Sequence, residues 1–132
     1  MNATNVSIAI IIDNQNRIAI TKRHSNDSQG GLWEFPGGKV EAEETDFQAL
    51  QRELLEEIGV LVKEAVLFSS VSHQYSDVNV TLNCYHVQEY EGVPRSLENK
   101  IFKWVPLSLL QTYSFPEANR SILNKVMTEL KR

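Results

Sequence analysis

The stretch GGKVEAEETDFQALQRELLEEIGV, residues 37–60, constrains this chain more than any other. Thr45 with Gln48 three residues on fits a capping box, in which each side chain satisfies the other residue's backbone N–H. Phe47, Leu50, Leu54 and Ile58 follow at helical spacing, and Gly59 is a natural left-handed stop. The pattern predicts an amphipathic helix over residues 46–58. At about 100° per residue, the apolar side chains gather into one stripe. Glu53, Glu56 and Glu57 then share an arc of about 100° beside that stripe. Carboxylates at i, i+3 and i+4 repel one another. They also lie toward the helix C-terminus, where the dipole disfavours anions. Seven of the 17 acidic residues fall between Glu41 and Glu57, although the net charge is only −4. Two readings fit: a solvated charged face, or a site for a hard divalent cation such as Mg²⁺ or Mn²⁺. A cation would reverse the repulsion and can activate a water. The helix alone does not choose between them.

The other segments frame this helix. Val6–Ile12 and Arg17–Thr21 flank the turn-forming Asp13-Asn14-Gln15-Asn16 and predict a hairpin. His24–Gly31 is polar and predicts a loop; Leu32–Phe35 predicts a short strand stopped by Pro36-Gly37-Gly38. Val66–Tyr75 and Val78–Val87 predict paired strands, the second alternating apolar and polar residues. Ile101–Val105 predicts another strand, and Ala118, Ile122, Val126 and Leu130, four apart, predict a helix lying on the sheet. Strands interrupted by two separated helices imply an α/β sandwich with a mixed sheet.

The length of 132 residues fits a single domain over residues 1–132. No apolar run approaches the ~20 residues that span a bilayer, which argues against a membrane protein. The lone Cys84 excludes an internal disulfide and fits a reducing cytoplasm. The acidic balance argues against a nucleic-acid polymer as partner, since that requires a basic footprint. No zinc-type His/Cys cluster, Ser/His/Asp constellation or Walker loop is present.

The residues in front of the helix add a longer pattern. Gly38 is followed after five residues by Glu44, after seven more by Arg52-Glu53-Leu54, then Glu56-Glu57, Gly59 and Val60. This resembles the Nudix box, G-x5-E-x7-R-E-U-x-E-E-x-G-U with U aliphatic, and every fixed position is filled. The resemblance implies a Nudix-type α/β/α sandwich that hydrolyses nucleoside diphosphates linked to a further group, with Mg²⁺ as cofactor or Mn²⁺ in its place. It implies that the Gly38 carbonyl, Glu53, Glu56 and Glu57 bind metal, and that Glu44 and Arg52 brace loop against helix. A plain surface ion pair fits Glu44 and Arg52 as well. Glu53 and Glu98 are the candidate bases for activating water. Glu98 is placed where this branch carries a further acid near the metals, or is a solvated loop acid.

Outside the box, "GGLWEFPGGKVEAEET", "YSDVNVTLNCYHV" and "SFPEANRSILNKV" are similar to the MutT-like branch, over nearly the whole chain. That similarity implies hydrolysis of an oxidised nucleotide such as 8-oxo-dGTP to monophosphate and pyrophosphate, by a monomer acting on a small-molecule nucleotide. Arg23 and Asn119 match its nucleotide-binding positions, and Phe35, beside Pro36, is a further candidate to line the base pocket. A carboxamide suits a purine edge because it carries donor and acceptor together. The alternatives are a solvated arginine, a core phenylalanine and a helix-start asparagine. Val78 stands where that branch has a basic residue, which keeps open a CTP or modified-pyrimidine substrate. A non-catalytic nucleotide-binding module is a third class; such modules typically lose box acids, and here Glu53, Glu56 and Glu57 are all present.

Overall fold

A computed structural model describes residues 2–22, 31–98 and 100–130. Among these residues, seven strands and two α-helices run in the order β1 (Asn2–Ile10), β2 (Arg17–Lys22), β3 (Trp33–Glu34), β4 (Gly37–Lys39), α1 (Asp46–Ile58), β5 (Leu61–Tyr75), β6 (Val78–Glu91), β7 (Ile101–Pro106) and α2 (Arg120–Glu129). Two 3-10 helices, Leu107–Thr112 and Glu117–Asn119, join β7 to α2. One sheet has the order β4-β1-β6-β5, and is mixed because β1 runs parallel to β6. The other is antiparallel, β3-β2-β7. None of the described helices is long and apolar enough to cross a membrane.

The alternation of β1 divides the molecule into layers. Ile8 and Ile10 join Ile18, Ile20, Ile122 and Val126 in a core under α2. Ala9 and Ile11, pointing the other way, join Leu50, Leu54 and Ile58 in a core under α1. Helix, sheet and helix therefore stack as an α/β/α sandwich with a mixed sheet.

Helix α1 spans residues 46–58 as its pattern predicts, with both capping-box bonds formed and Gly59 at φ 73°. Leu50, Leu54 and Ile58 are fully buried. Burying each contributes about 1.5–3 kcal/mol, whereas each like-charge pair on a helix surface costs a few tenths. The stripe therefore carries the acidic residues into place. At the helix start, the Ser7 hydroxyl donates to the Asp46 carbonyl at 2.9 Å and ties α1 to β1.

The first hairpin departs from the prediction. Its turn exists, held by Asp13, whose carboxylate accepts from the Gln15 and Arg17 amides. The strands, however, meet only at the Ile12–Ile18 bridge and then part into different sheets. Both edges of β1 are already taken, by β4 and β6. Gly37-Gly38 does not merely stop a strand but is itself strand, opposite Ile8 and Ser7. Strands β5 and β6 are longer than predicted, and the 3-10 helix Leu107–Thr112, which buries Leu107 and Leu110, has no forewarning in the apolar spacing. At the C-terminus the helical register is as predicted, but Ala118 belongs to the preceding 3-10 turn.

Candidate active site

The site begins where β4 passes under α1. A Cβ on Gly37 would fall 2.1 Å from the Ser7 carbonyl oxygen, and the residue has φ 148°. A Cβ on Gly38 would lie 2.3–2.6 Å from the Glu53 carboxylate atoms. Only glycine lets the strand lie this close, so backbone polar groups reach the acids directly.

Arg52 knits the exposed side of this junction. Its Nε donates to Glu44 at 2.6 Å and its second terminal nitrogen to the other Glu44 oxygen at 3.0 Å. The same guanidinium donates to the Lys39 carbonyl at 2.9 Å, to Glu53 at 2.9 Å and to Glu56 at 3.3 Å. The two-point pairing joins strand, loop and helix, a geometry a lone surface ion pair does not have. The Arg52 bonds, with the Glu41 amide, hold the Glu44 carboxyl down to about 2.

Glu57 occupies the buried side and is 4% exposed. One of its oxygens accepts the Gly37 amide at 3.1 Å; the other lies 3.5 Å from the Lys100 ammonium. Lys100 also donates to Glu34 at 2.7 Å. Burial pushes the Glu57 carboxyl up to about 7, against the pull of Lys100 and the Gly37 amide. Glu53 is raised too, first by burial and then by Glu56 and Glu98, with Arg52 opposing.

Glu98 reaches this cluster through a strap. The amides of Arg95 and Leu97 donate to the Ile58 and Glu57 carbonyls, both at 3.0 Å, and so cap the end of α1. Glu98 follows at φ 54°, a left-handed conformation that costs a non-glycine residue about 1 kcal/mol or more. It is exposed, and near enough to Glu53 to act on its titration.

At the other end, Asn119 is 7% exposed and sits at the N-cap of α2, yet makes no side-chain cap bond. Its Oδ1 is buried without a partner among the described residues. Beside it the Ala118 amide donates to the Tyr75 hydroxyl at 3.0 Å, which fastens the α2 start to β5. Phe35 lies in the core against Phe115, ring centroids 5.1 Å apart. Val78 is half-buried where β6 leaves the turn. Arg23 and most of the 24–31 loop lie outside the described residues. A cavity of about 310 Å³ lies along α2 and the segment before it, lined by Tyr113, Ser114, Arg120 and Asn124 among others, and none of the acids reaches it.

The structure thus brings Gly38, Glu44, Arg52, Glu53, Glu56, Glu57 and Glu98 together, with Phe35 and Asn119 in the opposite layer. Sequence reasoning missed Glu34 and Lys100. Their contact spans 66 residues and belongs to no local pattern.

The acid cluster has the chemistry a divalent cation requires. Glu53 and Glu57 are desolvated, the carboxylates repel one another, and two glycines back them, all of which a cation offsets. As they stand, no three His, Cys, Asp or Glu among the described residues are grouped closely enough to hold an ion. Arg52 and Lys100 draw the carboxylates toward themselves, so binding requires side-chain rotation.

A NUDIX domain family model matches residues 7–125. The 8-oxo-dGTP diphosphatase of Escherichia coli (strain K12) is 34% identical over 126 residues, 96% of this chain and 98% of that protein. The CTP pyrophosphohydrolase of the same organism is 32% identical over 120 residues, 91% of this chain and 89% of that one. A solved structure from work on MutT of Aliivibrio salmonicida and Vibrio cholerae superposes with a TM-score of 0.85 at 36% identity, covering 97% of this chain and 99% of the other. Nudix hydrolases in general work with a divalent cation, which suits this acid-lined junction, and the chain belongs to the Nudix hydrolase family.

Proposed function

We propose that this chain is a Mg²⁺-dependent nucleoside triphosphate pyrophosphohydrolase that acts on oxidised purine nucleotides such as 8-oxo-dGTP. The observation that carries the reading is the glycine strand laid against Glu53, with Glu56, Glu57 and Glu98 around it. Similarity over 96% of the chain to a protein named for that substrate supports the choice of nucleotide. The reading takes residues 1–132 as one Nudix domain, working as a monomer in the cytoplasm on a small-molecule nucleotide.

The Gly38 carbonyl, Glu53, Glu56, Glu57 and Glu98 would hold the cation. When bound, it would neutralise phosphate oxygens and make water a better nucleophile. Water adds to phosphorus, the α–β anhydride bond breaks, and monophosphate and pyrophosphate leave. Glu53, laid against the glycine strand, accepts the water's proton. Glu98, held beside it by the strap, is the second candidate base. Glu44 and Arg52 keep loop and helix in register. Asn119, buried with its Oδ1 unpartnered, reads the base edge, with Phe35 and Arg23 as further nucleotide-binding residues.

A second reading, a CTP or modified-pyrimidine pyrophosphohydrolase, is favoured by Val78 in place of a basic residue and by the 32% identity to the CTP enzyme. The deciding experiment compares kcat/KM for 8-oxo-dGTP, dGTP, CTP and dCTP with Mg²⁺. A preference of several orders of magnitude for 8-oxo-dGTP is expected. A lead for CTP establishes the second reading, and absence of turnover on all four removes both.

A further inference from the structure

We propose that Lys100 is a tethered cation that competes with divalent metal for the buried pole of the acid cluster. The proposal rests on the metal-site reading above. Its ammonium lies between two carboxylates, 2.7 Å from Glu34 and 3.5 Å from Glu57. All three side chains are largely buried, with 19%, 18% and 5% of their surfaces exposed for Lys100, Glu34 and Glu57. The position is fixed at the backbone as well, because the Lys100 amide donates to the Leu97 carbonyl at 3.0 Å, and Leu97 is itself bonded to α1.

The other acids of the helix have a different cation. Arg52 takes Glu53 and Glu56 from the exposed side, and its stem belongs to α1 itself. Lys100 comes from the segment before β7 and meets Glu57 from the interior. A divalent ion approaching Glu57 must therefore displace a cation already in place or accept its repulsion. At such distances the interaction between unit charges is large even at an intermediate dielectric.

A further buried oxygen lies on the same face of the sheet as Glu34. Thr21 is fully buried, and its hydroxyl has no hydrogen-bond partner among the described residues. It lies opposite Glu34 in the β2–β3 pairing and opposite Phe102 of the α1-side core in the β2–β7 pairing. Residues directly opposite in antiparallel strands project to the same face. Glu34 and Glu57 supply hard oxygen donors to the space that the ammonium fills, the donor type that suits Mg²⁺ or Mn²⁺, and Thr21 projects to the same face as Glu34.

Lys100→Gln separates charge from hydrogen bonding, since the carboxamide still donates. Lys100→Met removes both, and Lys100→Arg keeps the charge. Full-length proteins are titrated with Mn²⁺ alone, calorimetrically, and melted in chelator and in Mn²⁺. Both neutral variants should bind Mn²⁺ about tenfold more tightly than the parent or more. They should also melt lower in chelator and gain more on adding metal, while Lys100→Arg stays close to the parent. A residue with only a packing role would weaken metal binding or leave it unchanged. Mn²⁺ affinities within twofold of the parent in both neutral variants overturn the competition. No Mn²⁺ binding by the parent or by either neutral variant removes the metal-site reading and this proposal with it. A Lys100→Met protein that does not fold leaves the comparison to Lys100→Gln.

Discussion

The two ends of the candidate site are built in opposite ways. The proposed phosphate end is contiguous: one glycine strand, one loop and one helix, all within residues 37–59, supply most of its groups. The proposed base end is assembled from distant pieces, with Tyr75 of β5 fastened to Ala118 across 43 residues and the Asn119 Oδ1 left without a partner among the described residues beside that bond. The first can be handed down as a unit, while the second can be altered one contact at a time. On the proposed reading, this difference pairs a general phosphate chemistry with a separately adjustable reader. Similarity to both a purine and a pyrimidine enzyme fits it.

The sharpest way to break this division is Glu53→Gln. The fold should persist and turnover should fall by about 10²–10⁴-fold for every base, since charge and proton acceptor are lost together. Melting and steady-state rates on several nucleotides check this. Near-parental turnover, or a loss confined to one base, would show that the phosphate end does not work as a shared unit.

Asn119→Ala is the converse, with a smaller effect. Removing one buried polar contact should reduce discrimination between bases by about 10–100-fold while kcat for the better-tolerated nucleotide changes little. An unaltered ratio of kcat/KM values would exclude Asn119 as the reader.

The smallest effect concerns stability. The folded state raises the Glu57 carboxyl from 4.5 to about 7. Between those values the native protein holds more protons than the unfolded chain, so this group's contribution is full below about 4.5 and lost as pH rises through about 7. In chelator, Tm should decline by a few degrees across pH 5–7.5, and Glu57→Gln should flatten that decline. Glu44, lowered to about 2, acts in the opposite sense: its contribution is present above about 4.5 and lost as pH falls through about 2. Equal slopes in parent and Glu57→Gln would show that the buried pole does not govern the trend.

Legibility in the sequence followed the same divide. Helix α1 could be read to its boundaries because cap, stripe and stop are neighbours along the chain. The acids could be found because they share its face. The parting of β1 from β2 could not, since a strand's pairing depends on which edges other strands have claimed. Nor could Lys100, whose meaning comes from Glu34 and Glu57 and not from any residue beside it. Asn119 could be picked out from its neighbours, but that it declines to cap its helix is visible only in three dimensions.

The strap that carries Glu98 has a consequence for how the family can vary. At its near end Gly92 has φ 103°, and a Cβ there would fall 2.8 Å from the Gly59 carbonyl oxygen, so two glycines mark the point where the chain recrosses the helix terminus. Three residues later the Arg95 amide is already bonded to α1. Only Val93 and Pro94 intervene, and Val93 is 76% exposed. That short span can absorb insertions and changes of sequence while the acid downstream stays in register with the helix. Lengthening the chain between Leu97 and Lys100 would instead shift Glu98 and Lys100 against the cluster. Length variation among homologues should therefore collect on the Val93 side of the bonded amides and be rare on the other.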